Sequence, residues 1–404
     1  MCIICRVPAQ RPAQRLTAVD AVRGLVMVIM ALDHTRDFVH VSAAAFQPED
    51  LTRTTAILFF TRWITHFCAP TFMLLAGAGA FLKFDREGSK AVLARFLLTR
   101  GVWLILIELI VWRLAVNFSL SFAQPVFLLV LTALGLSMIA LAGLIYLPRP
   151  ALLTLAVATI VLHNTLDGVQ ASSFGGHAWI WNVLHQPGVF VVAGVPVFVG
   201  YPLVPWVGVM ALGFCMGPVL LMAPEARRRR LVTLGLALTA AFVVIRVVNA
   251  YGDPSPRAVQ SSWTFTMLSF LRTTKYPPSL QFLLMTLGPA LLVLAWFDSI
   301  RASWHSALVV IGRVPFFFYV AHWWILHPLV VVLAYLRYGA AAGNFVFGPV
   351  PALSTDPKAF PDGFGYPLWV VYLCWIGVVL VMYPLCKWFS DLKARRRSWW
   401  LSYL

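Results

Sequence analysis

Apolar stretches long enough to cross a bilayer follow one another through almost the whole chain, separated by short segments that hold its basic residues. A spanning helix needs about 20 mostly apolar residues, because about 30 Å of hydrocarbon is covered at about 1.5 Å per residue. Ten stretches meet or approach that rule: Val19–His34, Ile57–Lys83, Ala94–Asn117, Val126–Leu147, Ala151–His163, Val197–Met222, Leu231–Val248, Leu280–Phe297, Ala307–Leu336 and Leu368–Phe389. In lipid every backbone donor and acceptor must be satisfied within the protein, so such a series implies helices packed in a bundle. The fold expected is all-α, a polytopic membrane bundle of about ten transmembrane helices. One domain over residues 13–390 is flanked by basic tails at 1–12 and 391–404.

Composition agrees: the 404 residues are 60% hydrophobic and 11% charged, against roughly 45–50% apolar in soluble domains. The net charge of +16 would suggest nucleic acid in a soluble protein. Here the positive residues set topology instead, since basic loops stay in the cytoplasm. Arg6, Arg11 and Arg15, then Lys83, Arg86, Lys90 and Arg95, then Arg149, Arg227–Arg230, Arg301, Lys393 and Arg395–Arg397 all fall on one side. Both termini are therefore expected in the cytoplasm, and the short basic start leads into a retained first span rather than a cleaved signal. The opposite side carries longer connections at Thr35–Ala56, Asn164–Pro196, Ala250–Ser279 and Arg337–Pro367. Loops of that length are more often structured lids than linkers. Of six cysteines, Cys2 and Cys5 form the only close pair, which argues neither for a zinc site nor for a disulfide framework.

The first span keeps charges at both ends: Asp20 and Arg23 near its start, Asp33 and His34 near its finish. Each costs roughly 2.5–3.5 kcal/mol in a bilayer, so the helix is expected to line a polar cavity. At about 100° per residue, Arg23, Met27 and His34 lie within about 60° of Asp20, and Asp20 and His34 are about 21 Å apart along the axis. Asp20 and Arg23 either pair to fix helix register or touch ligand. His34 is either a wetted interfacial ring or a base, since a neutral imidazole takes a proton near neutrality. Asp37, and Asp33 beside it, are the candidates to orient that ring if the helix continues.

The pattern Arg15-Leu-x-x-x-Asp20-x-x-Arg23-Gly24 followed by Asp33-His34 resembles the opening of the transmembrane acyltransferase superfamily. Phe60-x-Arg62-x-x-x-His66-Phe-Cys-Ala-Pro70, Lys275-Tyr-Pro-Pro-Ser279 and Gly312-Arg313-Val-Pro315-Phe-Phe-Phe-Tyr319-x-x-His322 resemble the bacterial relatives of heparan-alpha-glucosaminide N-acetyltransferase. The resemblance implies an enzyme of the bacterial inner membrane that takes an acetyl or longer acyl group from cytoplasmic acetyl-CoA. It passes that group to an amine or hydroxyl of an extracytoplasmic sugar or glycan. His34 stands where acyl-transferring relatives have their key histidine, with His40 and His66 as alternatives. The lysosomal branch has its histidine further into the following loop, where this chain has Ala45.

Other groups are weighed by spacing. Arg62 and His66, four apart, share a helix face at the depth of His34 and are assigned with Asp20, Arg23, Lys275 and His322 to the acceptor site. The small run Ala76–Ala80 suits tight helix packing or the passage of a slim pantetheine arm. Lys275 is either a snorkelling interfacial residue or part of an acceptor pocket. Arg15, Arg100 and Arg313 are the candidates for CoA phosphates, since Arg forks match phosphate oxygens, although no Gly-rich loop accompanies them. His322 and His327, five apart, point about 140° away from each other, so no metal is expected. Glu108 and Arg113 need partners from other helices, and Arg62 is one candidate for Glu108. The partners expected are the lipid bilayer and a sugar or glycan, with no nucleic acid; a homo-oligomer is left open. A membrane transporter or flippase without acyl transfer is the alternative function.

Overall fold

The computed structural model describes residues 16–121, 125–300, 306–348, 350–354, 360, 361, 363–396, 398 and 401. Helices dominate. The first part of the chain forms α1 (Thr17–Val39), α2 (Ala56–Trp63), α3 (Cys68–Glu87), α4 (Lys90–Leu106), α5 (Arg113–Asn117), α6 (Val130–Leu144) and α7 (Arg149–Leu162). Then follow α8 (Ala178–Leu184), α9 (Trp206–Leu220), α10 (Pro224–Val248), α11 (Trp263–Leu271) and α12 (Leu280–Ser299). The chain closes with α13 (Ser306–Arg313), α14 (Pro315–Tyr338) and α15 (Leu368–Arg395). Among the described residues six helices are long and apolar enough to cross a membrane, namely Ala56–Glu87, Arg149–Leu166, Pro224–Val248, Leu280–Ser299, Pro315–Gly343 and Leu368–Arg395. Two shorter apolar helices, α6 and α9, stand beside them. The protein is thus a polytopic membrane bundle with six clear long spans, a coarser statement than the ten expected.

Helix ends follow local chemistry. Thr55, Ser89 and Ser279 accept backbone N–H bonds at the starts of α2, α4 and α12, satisfying donors that the first turn leaves open. Gly88 ends α3 in the left-handed region at φ 69°, where a side chain would be strained.

Three of the expected spans are interrupted. Val126–Leu128 is a strand, β1, before α6 begins; Gly188–Val192 and Val195–Val199 form β2 and β3, so the sixth span starts only at Trp206. The three strands make one small sheet in the order β1-β3-β2, with β1 parallel and β2 antiparallel to β3. That sheet corrects the all-α expectation. Its hairpin turns through Ala193 and Gly194, both at positive φ, which matches the twist of the flanking strands. The ninth span breaks at Val314, whose φ of −131° and ψ of 48° leave the helix, and restarts at Pro315, where the missing N–H costs nothing.

The core is centred on α1, which is buried along most of its length and packs against α3, α12, α13, α14 and α15. Contact with α13 is backbone to backbone: a Cβ on Gly24 would sit 1.9 Å from the Leu308 carbonyl oxygen, and one on Gly312 would sit 1.7 Å from that of Asp20. Large apolar residues such as Val244, Leu336 and Leu380 are instead exposed on α10, α14 and α15, as lipid contact requires. The charges of α1 therefore face protein and not hydrocarbon.

Candidate functional site

Beside α1 runs a cavity of about 1390 Å³, lined from Leu16 and Thr17 through Asp20, Arg23, Met27 and Met30 to Asp33 and His34. Ligand sites for drug-sized molecules are commonly 300–1,000 Å³, so this one has room for more than one small reactant. Eighteen residues separate Leu16 from His34, about 27 Å at helical rise. One mouth gathers Lys83, Arg86, Arg100, Arg227, Arg313 and Lys393. The other end is closed by His34, Thr65, Tyr201, Lys275 and Tyr319.

His34 comes from the last third of α1 and meets α14. Its Nδ1 lies 2.7 Å from Nε2 of His322, and its ring stacks on Trp323 with centroids 4.2 Å apart. His322 Nδ1 is 3.1 Å from the Phe318 carbonyl oxygen. A carbonyl only accepts, so the neutral His322 ring carries its proton on Nδ1 and offers Nε2 as acceptor. His34 then donates from Nδ1, which leaves its Nε2 with a free lone pair on the cavity side. The His322 ring is thus buried, bonded to a backbone carbonyl and hydrogen-bonded to His34.

Asp33 and Asp37 do not touch that ring. Although α1 continues through both, Arg36 Nη2 takes them, at 3.0 Å from Asp33 Oδ1 and 2.6 Å from Asp37 Oδ1. Asp33 Oδ2 is hydrogen-bonded by Arg62 Nη1. Arg62 Nε reaches Glu49 Oε1 at 3.0 Å, and His66 Nε2 reaches the same oxygen at 3.1 Å. Burial would raise the Glu49 carboxyl, but Arg62 and the His66 hydrogen bond outweigh it and hold it well below the usual carboxylate range. The result is a ribbon Asp37–Arg36–Asp33–Arg62–Glu49–His66 in which alternating charges compensate one another.

The other sequence candidates fall into three places. Asp20 and Arg23 line the cavity, 3.8 Å apart, with Arg23 Nη2 also donating to the Leu75 carbonyl at 3.1 Å. Lys275 lines the far end, its ammonium 5.2 Å from the Tyr276 ring centroid, and the Tyr276 hydroxyl is 3.2 Å from that of Tyr201. Arg62 and His322 stand behind the wall and hold Asp33 and His34, which are in it, while His66 lies a step further back on Glu49. Of the CoA candidates, Arg100 lies over the Phe316 ring and Arg313 is exposed, both at the basic mouth, while Arg15 lies outside the described residues.

Of His34, His40 and His66, His34 alone lines the cavity. His40, just past the end of α1, is buried and accepts from the Ser42 N–H at Nδ1; burial, with Arg36 adding, pushes it down to about 4. The small run of α3 divides between helix packing and the cavity wall. Gly77 packs on the Met210 carbonyl of α9, while Ala76, Gly79 and Ala80 face the cavity. Glu108 is not the partner of Arg62; it accepts from the N–H groups of Leu129, Leu131 and Thr132 and caps α6. His327 Nδ1 faces the Ala115 carbonyl, away from His322.

With this geometry in place, comparison with protein families gives a match. Residues 15–254 fit the family described as heparan-alpha-glucosaminide N-acetyltransferase, catalytic, which is more than half of the 404 residues. The chain belongs to this family. As a member of the heparan-alpha-glucosaminide N-acetyltransferase family it is an enzyme of the acetyltransferase type, embedded in a membrane. The matched stretch contains Asp20, Arg23, Asp33, His34, Arg62, His66 and Arg100. Lys275, Arg313 and His322 lie beyond it, and the fold returns all three to the same cavity or its wall. Comparison with curated proteins finds no match. Glu49 and Tyr201 carry no sequence signal, since both sit in irregular segments, whereas Tyr319 belongs to the motif that runs from Gly312 to His322.

Proposed function

We propose that this enzyme moves an acetyl or other acyl group from acyl-CoA to an amine or hydroxyl of an extracytoplasmic sugar or glycan. The observation that carries the reading is the cavity that joins a cluster of arginines and lysines at one mouth to His34 at the other end. Placing the basic mouth in the cytoplasm follows the positive-inside rule and puts it where CoA phosphates are available. Arg100 and Arg313 suit those phosphates as charged forks, and Ala76, Gly79 and Ala80 leave a narrow path for the pantetheine arm.

At the far end His34 Nε2 takes the proton of the acceptor amine or hydroxyl as that group attacks the thioester carbon, and the CoA thiolate then leaves. In the two-step variant Nε2 itself attacks, the thiolate leaves, and the acyl-imidazole passes its acyl group to the acceptor. His322 acts through His34 by holding its tautomer. Lys275 offers a positive charge to the acceptor or to the oxyanion formed during attack. Asp20 and Arg23 shape the inner half of the passage. Asp33 and Asp37, with Arg36, Arg62 and His66, position the end of α1 that carries His34.

A long polar cavity inside the bundle also suits a transporter or flippase, so the test separates the two. Purified protein in detergent, given labelled acetyl-CoA and an amino-sugar mixture, is expected to yield acylated sugar, and His34→Ala is expected to lower that rate by about 10²–10⁴-fold. Full-rate transfer by His34→Ala would remove the histidine from the reaction. Absence of any transfer by the unaltered protein, with solute uptake in vesicles, would favour transport.

A further inference from the structure

Away from the cavity, at the end of α7 opposite the basic mouth, stands a second cluster of ionisable side chains that does not line it. His163, Asp167 and His185 bring a ring nitrogen, a carboxylate oxygen and a second ring nitrogen within 4.8 Å of one another. His163 is 2% exposed, and neither of its ring nitrogens has a hydrogen-bond partner among the described residues. A buried neutral imidazole carries one donor and one acceptor, so this ring leaves both unmade, which native interiors rarely tolerate. The other two groups are already aimed. Asn164 donates to Asp167 Oδ2 at 2.8 Å and leaves Oδ1 turned to His185, whose Nε2 is 3.8 Å away. The His185 ring is stacked on Trp181, centroids 5.3 Å apart, and its Nε2 also lies 3.1 Å from the His163 carbonyl oxygen.

We propose that His163, Asp167 and His185 bind one divalent transition-metal ion, for which two imidazoles and a carboxylate are a fitting donor set. Ligand atoms on a tetrahedral zinc with bonds of about 2.0–2.1 Å are about 3.3 Å apart. The His185–Asp167 pair is within about half an ångström of that, and a turn of the unbonded His163 ring closes the rest. His185 gives up its bond to the His163 carbonyl and keeps its one proton on the other nitrogen, so binding changes a tautomer and releases no histidine proton. Asn164 supplies the outer support that holds a ligating carboxylate, and its Oδ1 accepts from the Leu280 N–H at the start of α12. The chain after His185 is tied back by bonds from Leu203 and Val204 to Val183 and Leu184, and it delivers Tyr201 to the cavity. The ion would thus brace the loop that closes the far end against α12.

The test uses full-length protein in detergent, free of a polyhistidine tag, stripped with EDTA and titrated with Zn²⁺ while metal content and thermal unfolding are followed. One zinc per chain, binding at micromolar concentration or tighter with a rise in Tm, is expected. His163→Gln and Asp167→Asn, which preserve size, are expected to weaken binding at least about tenfold, the scale of a lost ligand or its support. No saturable binding below millimolar zinc in the unaltered protein would overturn the proposal, as would unchanged affinity in the His163→Gln, Asp167→Asn double variant. The readouts are independent of acetyl transfer, so the site stands or falls apart from the proposed reaction.

Discussion

His34 can take a proton only through Nε2, and a ring on α14 decides that Nε2 is the nitrogen left open. Because His322 bonds a carbonyl at Nδ1 and His34 at Nε2, its removal frees the His34 ring to rotate and to change tautomer. His322→Ala is expected to lower kcat by about 10–100-fold, as loss of a supporting residue does, while KM for acyl-CoA stays near its original value. His322→Gln, whose amide oxygen also accepts, is expected to recover part of that loss. Steady-state kinetics on the two variants checks the point; equal losses in kcat, or a loss confined to KM, would assign His322 to packing or binding. The charged ribbon is a different kind of support. Each of its ions is compensated by neighbours, so removing one member leaves the others uncompensated in a dry setting, which costs more than the pair contributes.

At the scale of elements, the site depends on how closely α1 and α13 approach. Gly24 and Gly312 let backbones touch where any side chain would meet a carbonyl, and small residues serve this purpose in membrane bundles, where lipid removes the hydrophobic drive. Gly24→Ala is therefore expected to destabilise by about 1–3 kcal/mol through overpacking. Gly143→Ala in α6, where an added Cβ meets nothing within 4 Å, is expected to be neutral or mildly stabilising, since alanine is the better helix former. Thermal unfolding of both in one detergent measures the contrast. The interrupted helices are read at this scale too. Val-Phe-Val-Val-Ala-Gly-Val-Pro-Val-Phe-Val over residues 189–199 carries the β-branched residues and the Ala-Gly turn of a hairpin, yet its last residues also read as the start of the span expected from Val197. Composition could not separate the two; pairing with β1 from another part of the chain did.

At the scale of the whole molecule, a long polar cavity inside an apolar bundle gains stability from a bound ligand. A molecule that enters at the basic mouth stabilises the folded chain by RT ln(1 + [L]/Kd), about 2.7 kcal/mol at one hundred times Kd. Acetyl-CoA is expected to raise Tm accordingly, and replacing Arg100 and Arg313 by Gln is expected to reduce the rise while leaving the ligand-free Tm little changed, because Arg313 is exposed. Differential scanning fluorimetry with acetyl-CoA, CoA and a small sugar as separate ligands checks it. A rise with sugar alone would point to transport.

Sequence by itself determined that this chain is a membrane bundle, because lipid permits few alternatives to an apolar run of the right length. It also placed Asp20, Arg23 and His34 on one stripe of the first helix, because helical periodicity is a local rule. The motifs that resemble the acetyltransferase family were legible in the same way, and the family match over residues 15–254 covers the first two of the four. Tertiary structure alone decided which partner each charge received. Spacing along α1 points to Asp33 and Asp37 as partners of His34, but Arg62 and Arg36 compete for them, and the ring is held by a histidine 288 residues away. Glu49, His163 and His185 were equally invisible as site members, since hydrogen bonds and ligand geometry depend on distances of a few ångströms between segments that sequence separation does not encode.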